Sequence, residues 1–238
     1  MRCSCGWAAD ARPHFRTYAE PFGNLHDLAF FASFNLPTPM TAASSRTLAL
    51  VSLFAALMAV LGLIPKIDLP LGVPITLQTL GVMLAGCLLG PRRAALALGL
   101  FLLAVALGLP LLAGGRGGPG VFFAPAAGYL AGWPLGAAAT GLLMALLPVG
   151  TPRRAAISGF VAAAGGGLLV VHACGVTGLV GIAGLSWTQA LAGTLLFVPG
   201  DLLKCAVCAA VVHTVARGLP DWGLGGRGAA PTASPSRR

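Results

Sequence analysis

Charge is scarce in this sequence: 9% of its 238 residues are Asp, Glu, Lys or Arg, and only six are acidic. Soluble domains carry about 25% charge, so the chain lacks the polar surface that would cover a globule in water. Catalytic arrangements are missing too. There is no HExxH helix and no Ser/His/Asp set, and His172 and His213 stand alone as packing or interfacial residues. No enzyme activity is expected. No Gly-Lys-Ser/Thr segment closes a glycine loop, which excludes a Walker A nucleotide site. The pair Cys205-x-x-Cys208 has no second Cys or His pair at zinc spacing, so no metal or cofactor is expected. The six cysteines read as small apolar residues. No Lys- or Arg-led apolar segment ends in a small-residue cleavage site, and a secretory signal is not indicated.

What is present is apolar: 57% hydrophobic residues and 34 glycines, the small residues that let membrane helices approach closely. Long apolar runs divided by Pro, Gly and Arg predict an all-α integral membrane protein with six transmembrane helices. The predicted spans are residues 47–64, 75–89, 94–109, 125–147, 155–182 and 199–217. The run 187–217 is too long for one span. Pro199 favours a helix start, leaving 187–198 as a re-entrant or interfacial piece. Residues 1–45 form an N-terminal extension, disordered or begun upstream of a true start at Met40. Residues 46–217 form the membrane domain, and 218–238 a disordered tail.

The net charge of +9 falls in tails and loops, and no helix bears the basic stripe that a nucleic-acid partner would require. Arg46, Arg92, Arg93, Arg153, Arg154 and Arg217 fall on one side of the six spans. Lys66 with Asp68, and Arg116, fall on the other. The positive-inside rule then predicts a multi-pass protein in the lipid of the inner (cytoplasmic) membrane, with both termini cytoplasmic.

Ionisable groups inside a membrane cost about 2.5–3.5 kcal/mol each on insertion scales, which marks those present as functional candidates. Asp201 and Lys204, three residues apart, share one face of the last helix near its N-terminus. They form either a self-neutralising ion pair or a polar floor for a solute. Arg116 lies in Gly114-Gly115-Arg116-Gly117-Gly118, where flexible backbone can expose amide donors to an anion, or leave the arginine simply solvated. Gly128, Gly132 and Gly136 make a smooth face on the fourth span, suited to close packing. Ala55 and Ala59 make a similar small face on the first.

Three stretches together resemble the BioY biotin transporters, the substrate-capture subunits (S-components) of energy-coupling-factor importers. They are Val73-Pro74-Ile75-Thr76-Leu77-Gln78-Thr79-Leu80, the glycine loop with Pro125-Ala126-Ala127-Gly128-Tyr129-Leu130-Ala131-Gly132, and Pro199-Gly200-Asp201-Leu202-Leu203-Lys204. The resemblance covers about residues 47–217. One departure is Ala126-Ala127-Gly128, where the family usually has Thr-Gly-Gly. The resemblance implies an S-component bundle holding biotin near its outer face. Arg116 or Lys204 would pair the carboxylate, Asp201 and Gln78 would meet the ureido edge, and Tyr129 would cover the ring. It also implies a transmembrane coupling protein, docked on Ala55 and Ala59, and ATPase subunits as partners. An S-component for thiamin or riboflavin is the alternative, although those rings call for more aromatic surface than 7% aromatics supplies.

Overall fold

The computed structural model describes residues 42–67 and 73–227. The expected start at Met40, Asp68 and the end of the C-terminal tail lie outside the described residues. Seven helices succeed one another: α1 (Ala42–Gly62), α2 (Gln78–Leu89), α3 (Pro91–Ala106), α4 (Ala127–Leu146), α5 (Pro152–Ala183), α6 (Trp187–Leu195) and α7 (Val198–Gly218). Among the described residues there are no strands, only isolated bridges pairing Ile67 with Ile75 and Leu112 with Arg116. α1, α4, α5 and α7 are long and apolar enough to cross a membrane. The expected six-helix bundle is present, and α6 fills the piece between the fifth and sixth spans.

The boundaries shift where local chemistry wins over hydropathy. α2 begins at Gln78 rather than at 75, because Ile75 exchanges backbone hydrogen bonds of 2.8 and 3.1 Å with Ile67. α3 begins at Pro91 rather than at 94. Gly90, at φ 82°, turns the chain, and Pro91 supplies a first helical residue with no N–H to satisfy. Pro199 lies in the first turn of α7, as expected from the same preference. α6 is opened by a capping box, in which Ser186 and Gln189 satisfy each other's backbone N–H groups.

Two features were not foreseen. α5 widens into a π-helical turn over Ala163–Val170, where Gly166 presses against Thr140 of α4 and leaves its buried Oγ1 without a partner. The extra residue in that turn changes the helical phase of the residues after it, His172 included. Also, residues 219–227 fold back under the bundle instead of starting a loose tail at 218. Trp222 Nε1 donates to Leu88 O at 3.1 Å, and the Arg227 guanidinium donates to the carbonyls of Met144, Ala145 and Leu147. Those carbonyls end α2 and α4, where the helices leave acceptors unpaired.

The glycine face of α4 packs on α5 as the spacing predicts. A Cβ at Gly128 would meet Gly178 Cα at 2.7 Å, and one at Gly132 would meet Cys174 Cβ at 2.9 Å. Around this contact, Phe54, Met58, Phe101 and Trp133 fill one half of the core. Met83, Cys87, Met144, Cys205 and Cys208 fill the other. Overpacking a closed interface costs about 1–3 kcal/mol, so Gly128→Val should lower the thermal unfolding midpoint in detergent. Gly181→Ala, at a position with open space around it, should leave that midpoint unchanged.

Candidate functional site

At the end of the bundle opposite the paired arginines, the N-termini of α2, α4 and α7 converge on a cavity. Converging helix N-termini give this end a partial positive potential that favours an anion. All five residues singled out as solute contacts line it: Gln78, Arg116, Tyr129, Asp201 and Lys204. The wall between them is apolar and aromatic, formed by Val73, Leu130, Trp133 and Phe197.

The floor is a compact charge cluster between α2 and α7. Lys204 Nζ donates to Asp201 Oδ1 at 2.7 Å and to Thr79 Oγ1 at 2.9 Å, while the Thr79 hydroxyl donates to Asp201 Oδ1 at 3.1 Å. The Asp201 side chain is 3% exposed and that of Lys204 12%, so this is a buried pair. Burying such a pair adds little stability of its own, because desolvation offsets the attraction. What it provides is directionality. An ammonium has three donors and Lys204 has committed two, while Asp201 Oδ2 keeps acceptor capacity. A donor and an acceptor therefore stand side by side in an apolar chamber.

His172, which by sequence alone reads as a packing residue, belongs to the same wall. Its Nδ1 donates to Leu168 O at 2.9 Å, inside the π-helical turn. Its Nε2 lies 3.3 Å from Asp201 Oδ2 but is not aligned for a hydrogen bond, and has no other partner. Tyr129 is fixed by a 2.8 Å hydrogen bond to Thr194 of α6, and its ring centroid lies 5.9 Å from those of both His172 and Phe197. Thr79, Thr194 and Phe197 carry no sequence signal of their own, since chain separation hides their contacts.

The remaining candidates divide. Arg116 is half-buried at the rim, and its Nε donates to Ala113 O at 3.4 Å. Among the described residues no carboxylate pairs with it, which leaves its terminal amino groups to a ligand. Gln78 is different: it is 1% exposed and committed to backbone. Its Nε2 donates to Met58 O and Leu111 O, both at 3.2 Å, and its Oε1 accepts from Ala113 N at 3.2 Å. Gln78 lines the cavity and also ties the Arg116 loop to α1. Ala55 and Ala59 are half-buried against the core, at the edge of an open α1 face that carries Ser52, Leu53, Ala56 and Val60.

A bundle of apolar helices with a small polar chamber at one end, and no catalytic set among the described residues, is the layout of a membrane-embedded solute-capture subunit. The comparisons place it within that class. The BioY family model matches residues 36–221. A biotin transporter BioY of Rhizobium etli is 47% identical over 182 residues, covering 74% of this chain and 96% of that protein. One from Rhodobacter capsulatus is 46% identical over 187 residues, with the same coverage of 74% and 96%. Among solved structures, the crystal structure at 2.1 Å of the S-component for biotin from an ECF-type ABC transporter has a TM-score of 0.67 at 27% identity, covering 76% of this chain and 95% of that chain. The chain belongs to the BioY family.

Removing the Gln78 carboxamide deletes three hydrogen bonds, two of them buried, each worth about 1 kcal/mol net. Gln78→Leu should therefore destabilise the protein by roughly 1–3 kcal/mol and make the 111–118 loop more susceptible to proteolysis. A loop as resistant as wild type would deny Gln78 this role.

Proposed function

We propose that this protein captures biotin at the outer face of the cytoplasmic membrane, as the S-component of an energy-coupling-factor importer. The observation that carries this reading is the division of charge in the cavity. The floor is neutral overall yet offers a donor beside an acceptor, and the rim carries Arg116, which no carboxylate pairs with among the described residues. Biotin has matching parts: a ureido group with two N–H donors and a carbonyl, an apolar thioether ring, and an acidic tail. Asp201 Oδ2 accepts a ureido N–H, the remaining Lys204 donor reaches the ureido carbonyl, Tyr129 and its aromatic neighbours cover the ring, and Arg116 pairs the carboxylate. Family membership, and the biotin transporters among the similar proteins, support the same ligand.

Orientation is read from the loop charges. Arg92, Arg93, Arg153, Arg154 and Arg217 lie at the end of the bundle away from the cavity, which the positive-inside rule assigns to the cytoplasm. The cavity then faces outward. The chain has no Walker A sequence, so ATP-driven import takes its energy from partner subunits. The open α1 face, with Ser52 and Ala56 at its centre and Ala55 and Ala59 at its edge, suits close approach of the coupling protein's helices.

Radiolabelled biotin binding to the purified protein, with thiamin and riboflavin as competitors, tests the ligand. Biotin should bind and neither competitor displace it; displacement by either would assign the cavity to another vitamin. A charge-assisted hydrogen bond is worth about 1.5–3 kcal/mol, so Arg116→Gln should weaken biotin about 10- to 100-fold while barely changing the affinity for biotin methyl ester. Equal losses for acid and ester would move the carboxylate elsewhere. Ala56→Trp should leave biotin binding intact and abolish uptake in cells; normal uptake would remove α1 from the coupling interface.

A further inference from the structure

A second polar cleft lies at the arginine-rich end of the bundle, away from the solute cavity. Arg46 of α1, Arg93 of α3, and Trp222 and Arg227 of the returning C-terminal segment line this cleft. The Arg46 guanidinium sits 5.6 Å from the centroid of the Trp222 ring. Three arginines face one acid, Asp221, and among the described residues none of the three is paired with it. Arg227 is held by helix-end carbonyls through its Nε and one terminal nitrogen. The guanidinium groups of Arg46 and Arg93 make no hydrogen bond to protein among the described residues. Among the described residues the cleft is thus a concavity with an excess of positive charge, the setting for a phosphate group.

The surface running away from this cleft identifies the source of that phosphate. Arg93 stands at the start of α3, and Leu96, Leu100 and Leu103 succeed it at three- and four-residue spacing on the same face. They are 59%, 41% and 56% exposed, an uncovered apolar track that begins at a cationic group. Leu48, 52% exposed, extends the apolar surface beside Arg46 on α1. A charged pocket continuous with an apolar track matches a headgroup with its acyl chains, and a free anion would make no use of the track. Trp222, donating its N–H to Leu88 O while stacking under Arg46, is the amphipathic side chain expected at the membrane–water boundary.

We propose that this cleft holds the headgroup phosphate of an anionic lipid of the cytoplasmic leaflet, with its chains laid along α3. The lipid then joins α1, α3 and the C-terminal segment, three parts of the chain that meet around the cleft. Residues 222–227 lie beyond the stretch matched by the family model, so this site is built partly from sequence outside that match. The inference is independent of which solute the outer cavity takes.

The purified full-length protein tests it. In native mass spectrometry, phosphatidylglycerol should stay bound through delipidating detergent when phosphatidylcholine of the same chain length is lost. Phosphatidylglycerol should also raise the melting temperature, and inorganic phosphate should not. Arg46→Gln with Arg93→Gln should weaken phosphatidylglycerol retention about tenfold or more, two charge-assisted contacts being removed. Arg153→Gln with Arg154→Gln, the same charge change away from the cleft, should retain it, and circular dichroism with a monodisperse gel-filtration peak reports that both variants are folded. Equal retention of the two lipids, equal loss in both double variants, or stabilisation by inorganic phosphate alone would each overturn the proposal.

Discussion

The structure turns on one buried charge cluster, in which Lys204, Asp201 and Thr79 satisfy one another between α2 and α7. Each charged group alone would cost several kcal/mol in an apolar bundle; together they cancel net charge without exhausting their hydrogen-bonding capacity. Geometry keeps them in place. Pro199 fixes where α7 begins, so Asp201 enters the first turn, where the helix dipole favours a carboxylate. Lys204 comes one turn later on the same face. Thr79 reaches them because α2 starts late, after the bridge between Ile67 and Ile75.

The rest of the cavity is organised around that cluster at increasing distance. His172, released from helical phase by the π turn, closes one side with an unpaired nitrogen. Tyr129 is braced by Thr194, so the short helix α6 helps to shape the chamber although it does not span the membrane. Gln78 ties the glycine loop to α1 and fixes where Arg116 stands. Chemistry thus runs from a neutral, bifunctional floor to a charged rim across an aromatic middle, an order that matches a ligand with a polar ring at one end and an acid at the other.

Much of this order was legible in the sequence because it rests on local rules. Hydropathy and prolines located the spans, spacing put Asp201 and Lys204 on one face, and the four-residue glycine repeat marked a face for close packing, which α5 turns out to fill. The misses share a different cause. Thr79 looks like any helical threonine until α7 is beside it, and His172 looks isolated until the π turn brings it to Asp201. Gln78 gives no local sign of its structural bonds, because nothing nearby in the sequence shows three backbone groups waiting for its carboxamide. The segment 219–227 reads as a glycine-rich tail; its order comes from the unpaired carbonyls of α2 and α4, which no local pattern reveals.

The shortness of α2 has a further consequence. Its 12 residues measure about 18 Å against a hydrocarbon layer of about 30 Å, so hydrated polar groups approach each other from both ends of the protein. The space around that one helix is closed by large buried side chains. Met83 and Cys87 meet Met144, Cys205 and Cys208 there, all with no more than negligible exposure. Sulfur is large, polarizable and a poor hydrogen-bonding partner, so it fills the space while giving a water chain nothing to bind. Cys87, Cys205 and Cys208, which hold neither metal nor disulfide among the described residues, thereby act as the filling between α2 and its neighbours at the thinnest part of the bundle.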